Sequence, residues 1–101
     1  MVIEKIISVE LTSNNELSLE VESGGNPFYQ YVYREAAGVT WINEEACFRS
    51  TPIVDWSAKD WFLQIVKVAR SVSVSLVLSP NVSWINIDEQ TIETIVGADA
   101  I

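Results

Sequence analysis

The chain contains no histidine. That absence removes the commonest general base, the usual activator of serine and cysteine nucleophiles, and the commonest neutral metal ligand. A single cysteine, Cys47, excludes an internal disulfide and suits a reducing compartment. With one thiol and no imidazole, a thiolate–imidazole zinc site cannot be assembled, and the acids show no calcium-loop spacing. Glycine is scarce at four residues, and Gly24-Gly25 stands in a turn motif rather than a phosphate-binding loop. Long apolar runs are missing too: Val72 to Leu78 is too short, and too rich in serine, to span a bilayer. The opening residues place Glu4 where a secretory signal would carry bases. A cytoplasmic protein with no cofactor and no metal is the expectation.

Cations are also few, 6 against 14 acids, for a formal net charge of −8. Three of the six, Lys59, Lys67 and Arg70, fall in one segment, so the remaining surface is more acidic still. Such a field repels phosphate backbones and anionic lipid, which argues against nucleic-acid and membrane binding. It accelerates encounter with a basic protein. Solubility alone accounts for the same charge without any partner.

What is present is enough for a core. At 101 residues and 49% hydrophobic, the chain is of ordinary globular composition and reads as one domain, 1–101. The strongest local signal is a helix over about 57–70. Ser57 and Asp60 have the spacing of a capping box, and Trp56 and Trp61 occupy the two positions of a hydrophobic staple. At 100° per residue, Trp61, Phe62, Ile65, Val66, Val68 and Ala69 share one arc. Lys59, Asp60, Gln64, Lys67 and Arg70 share the other, where Leu63 is the one apolar intruder. A helix of this kind needs an apolar sheet to lie on.

The remaining chain supplies strand patterns. Ile3 to Thr12 places Ile3, Ile7, Val9 and Leu11 in alternation, with Lys5 interrupting; Glu16 to Glu22 alternates without a fault. A three-residue connection, Ser13 to Asn15, sets Leu11 opposite Leu17, Val9 opposite Leu19 and Ile7 opposite Val21. After the turn Ser23 to Pro27, Phe28 to Glu35 reads as a third strand beside the second, with Tyr29, Tyr31 and Tyr33 on its covered face, or else with Phe28 and Val32 buried and the tyrosine row exposed. Val39 to Asn43 and Ala46 to Ser50 form a hairpin across Glu44-Glu45. Ser71 to Ser79 and Val82 to Ile87 are two further strands about a Pro80-Asn81 turn. The tail, 88–97, is a short helix capped by Asp88 and stopped by Gly97, or else a β-branched strand. Val39 to Asn43 (VTWIN) is echoed by Val82 to Asn86 (VSWIN), two copies being too few for a solenoid.

These elements add up to an α+β domain: a mainly antiparallel, twisted sheet of five to seven strands with one long amphipathic helix on one face. Functionally, three readings are open. The first is a non-catalytic module that binds a basic partner protein, as immunity-type inhibitors do, with Glu44 and Glu45 among its acids. The second is a small-ligand site between sheet and helix, walled by Tyr29, Tyr31, Tyr33 and Trp61, since amphipathic rings favour pockets and interfaces. The third, disfavoured by the missing equipment, is a carboxylate-dependent hydrolase drawing on Glu44, Glu45, Asp88 and Glu89. A homodimer is expected if the tyrosine face is left uncovered. Cys47, between Ala46 and Phe48, reads as a buried packing residue.

Overall fold

The computed structural model describes residues 2–25, 29, 38–54 and 56–99. In order these form β1 (Val2–Leu11), β2 (Glu16–Val21), β3 (Val39–Ile42), β4 (Cys47–Pro52), α1 (Ala58–Ser71), β5 (Val74–Ile85) and α2 (Glu89–Asp99). The helix α1 begins as its sequence dictates. The Asp60 amide donates to Ser57 Oγ at 3.2 Å, and the Ser57 amide donates to Asp60 Oδ2 at 3.2 Å. Two donors that the first turn would leave unpaired are thereby satisfied. Trp56 and Trp61 meet with ring centroids 4.9 Å apart. From there the apolar arc carries Phe62, Ile65, Val68 and Ala69 into the core, while Trp61 and Val66 stay partly exposed. Trp56 itself is 46% exposed, because the staple position lies outside the helix at a corner of the molecule.

The sheet has five strands in the order β3-β4-β2-β1-β5 and is mixed rather than antiparallel throughout. β1 with β2, β2 with β4 and β3 with β4 are antiparallel, but β1 and β5 run parallel. The cause is the connection. A helix between two strands returns the chain to the end from which it set out, so β5 must run the same way as β4. β4 already runs with β1, and β5 docks beside β1. α1 therefore crosses the sheet over β2 and β1, and its apolar arc covers their inward residues Leu17, Leu19, Ile6 and Val9.

Several register details depart from simple alternation. Leu11 faces Leu17 and Val9 faces Leu19, but Val21 faces Ile6, not Ile7. A bulge at Ile7 reverses the phase of the first half of β1. Ile3 is consequently 69% exposed, and Glu4 takes the covered position in its place. The same irregularity recurs against β5, where Ile6 pairs with Leu78 but Ser8 pairs with Ser83. Pro80-Asn81 therefore makes an excursion within one long strand and does not separate two strands. Both edges of β2 are occupied, by β1 and by β4. The Phe28–Glu35 strand expected beside it, Tyr31 and Tyr33 included, lies outside the described residues apart from Tyr29.

The hairpin connection is a 3-10 turn, Asn43–Glu45, closed by Ala46 in the left-handed region. The tail is helical: the Thr91 amide donates to Asp88 Oδ1 at 2.8 Å, and Ile95 is fully buried against the core. Gly97 does not stop it, since the helix continues to Asp99. The two echoing segments lie on the two outermost strands, with Trp41 and Trp84 both on the core side. Among the described residues, no helix is long and apolar enough to cross a membrane.

Candidate functional site

The residues singled out from sequence separate into three places. Tyr29 is in the core, 2% exposed, with its ring 5.0 Å from Trp41 in an edge-on arrangement and 5.3 Å from Phe48. Its hydroxyl hydrogen-bonds the carboxylate of Glu4, which also accepts from Ser23 Oγ at 2.5 Å. Burial pushes the Tyr29 phenol far above its ordinary range, and the bond to Glu4 and that residue's negative charge push the same way. This small network explains how a glutamate comes to sit on the covered face of β1. Trp61 lies instead at the start of α1, against Trp56 and over the backbone of Gly38. Tyr29 and Trp61 are thus packed into different aromatic groups. Tyr31 and Tyr33 fall outside the described residues.

Glu44 and Glu45 form the tip of the β3–β4 hairpin, and both are exposed. The turn is tied to the end of β2, where the Val21 amide donates to the Ala46 carbonyl at 3.0 Å. Glu20 pairs across the sheet with Cys47, and Glu22 follows β2 directly. Four exposed glutamates (Glu20, Glu22, Glu44 and Glu45) are therefore gathered at one corner. Arg49 lies beside them in the sheet, its Nη2 engaged by Glu45 at 2.8 Å, and Lys5 stands across from Glu22, whose amide donates to the Lys5 carbonyl at 2.9 Å. Among the described residues, Arg49 Nε is buried without a hydrogen-bond partner. Its other neighbour is Cys47, whose Sγ accepts from Nη2 at 3.7 Å. Burial raises the Cys47 thiol above its ordinary value, and the hydrogen bond from Ser18 and the charge of Arg49 only partly offset this. A buried thiol of that kind is a packing group, not a nucleophile.

Sequence reasoning found the hairpin pair but not Glu20 and Glu22, because the β2–β4 pairing that brings them there is not local. Asp88 and Glu89 are explained by structure. Asp88 caps α2, and its bond from Thr91 lowers its carboxyl below the ordinary value.

A third feature went unread in the sequence. α1, α2 and the outer edge of β5 border a half-open channel of about 600 Å³. Leu63, the apolar intruder on the polar arc of α1, is part of its wall and is 40% exposed.

Comparison with known proteins adds family but no chemistry. The profile of the family Integron Cassette Protein Hfx_Cass5 matches residues 18–82, more than half of the chain. One solved structure is similar: an integron cassette protein, Hfx_Cass5, from the mobile metagenome of the North West Arm sewage outfall. It shares 28% identity over 100% of this chain and 99% of that chain, with a TM-score of 0.44. No curated protein matches.

Proposed function

The chain belongs to the Hfx_Cass5 family of integron cassette proteins, and within it we propose the role of a non-catalytic module that binds a basic partner protein. One observation carries the reading: the β2–β4 pairing and the Val21–Ala46 hydrogen bond gather Glu20, Glu22, Glu44 and Glu45 at one exposed corner. Both helices pack on the opposite side of the sheet from Glu20, so nothing in α1 or α2 covers that carboxylate. Clustered like charges are unfavourable in the isolated protein, and a cationic surface relieves them. The overall charge of −8 draws such a partner in, and the corner fixes where it lands. The Arg49–Glu45 pair, with Arg49 half-buried and Glu45 exposed, holds one of these carboxylates in place.

The test is capture by cross-linking, with the wild type and a Glu20→Gln, Glu22→Gln, Glu44→Gln, Glu45→Gln variant compared at low and high salt. The reading expects a partner of basic surface whose yield falls about tenfold with the substitutions and falls again with salt. Retention of the same proteins by both forms, independent of salt, overturns it.

A further inference from the structure

We propose that the channel between α1, α2 and the outer edge of β5 binds a single-chain amphipathic anion, an apolar chain ending in a carboxylate. The α1 wall is one helical stripe, Lys59, Leu63, Val66 and Arg70, spaced four, three and four residues apart. A cation stands at each end, and the middle is apolar. Eleven residues of helix separate the two cations by about 16 Å along the axis. Leu76 of β5 lies beneath, and the α2 wall presents Gly97. The volume of about 600 Å³ falls within the roughly 300–1,000 Å³ typical of small-ligand sites.

Charge favours an anion here although the molecule is acidic. Two of the protein's six cations line this one channel, and among the described residues neither forms an ion pair. Glu93 on the α2 wall counters one of them, which leaves one for a carboxylate head group. Gly97 supplies a second, independent sign. Glycine within a helix is less stable than alanine. At Gly97 no neighbour requires it, since an added Cβ meets nothing within 4 Å. Gly97 lines the channel on its α2 side with no side chain to fill it, and exposed Leu63 lines it on the α1 side.

The experiment is calorimetric titration with dodecanoate below its micelle concentration, with dodecanol and dodecyltrimethylammonium as companions. The wild type is expected to bind dodecanoate at one site and at least tenfold more tightly than either companion. Gly97→Leu, which places a side chain in open space, is expected to melt no lower than the wild type and to lose binding at least tenfold. Leu63→Gln, at an exposed position, provides the same reading should Gly97→Leu fail to fold. Arg70→Gln with Lys59→Gln removes the preference for the carboxylate over the alcohol. The proposal is overturned if dodecanoate does not bind or the ammonium binds better. Undiminished binding by a folded Gly97→Leu or Leu63→Gln protein overturns it equally.

Discussion

At the scale of single residues, the interior is specified by a few polar side chains that complete what the backbone leaves open. Where β2 meets β4, a register shift between Glu16 and Ser18 leaves the Leu17 amide to Ser50 Oγ, which accepts it at 2.9 Å. Ser50 in turn donates to the Thr51 carbonyl at 2.7 Å. Ser50→Ala strands a buried N–H and is expected to destabilise the protein by about 1–3 kcal/mol in chemical denaturation. Tyr29 makes a second residue-scale prediction. Its phenol is held neutral in the folded protein well above the unfolded value of about 10. Its contribution is therefore complete below that pH and is lost as pH rises beyond it. Ultraviolet titration should show a tyrosine component that ionises only as the protein unfolds in alkali, and Tyr29→Phe should abolish that component. A component that titrates freely near 10 in folded protein would contradict the packing.

At the scale of elements, the helices were legible where their signals are local. The Ser57–Asp60 box and the apolar arc of α1 are contained in fifteen residues, and the structure reproduces both. The β1–β2 register was legible as far as Val9 opposite Leu19, and failed at Ile7. The missed cue was Lys5, which broke the alternation a few positions from the bulge. The parallel pairing of β1 with β5 was illegible for another reason: it joins residues more than seventy positions apart and is set by where α1 delivers the chain. Nor did strand patterns show that β2 takes β4 as its second neighbour. For α2, the Asp88 cap is expected to matter in a pH-dependent way. Its carboxyl is lowered by Thr91, so the cap's contribution is present above the unfolded carboxylate range and is lost as pH falls through the folded value. Asp88→Ala should lower the melting temperature at neutral pH, and the difference from wild type should vanish in strong acid.

At the scale of the molecule, charge and apolar burial are segregated. Both helices lie over one side of the sheet, Tyr29 is packed against Trp41 and Phe48, and the acidic corner stands where β2 ends and β4 begins. Of the tyrosine face whose exposure would call for a homodimer, Tyr29 is buried, and Tyr31 and Tyr33 lie outside the described residues. A thiol probe reports on the same segregation. Cys47 should be inert to it in native protein near neutral pH and reactive after denaturation, since burial raises its pKa.

The central claim is that the protein's negative field is focused at one corner rather than spread over the surface. Titration of a lysine oligomer into isotopically labelled protein at low salt, followed by amide chemical shifts, tests it most directly. The account predicts that the largest shifts fall at Glu20 to Ser23 and Asn43 to Cys47 and fade as salt is added. Equal shifts at every acidic residue, or the largest at Glu89 and Glu93 of α2, would contradict it.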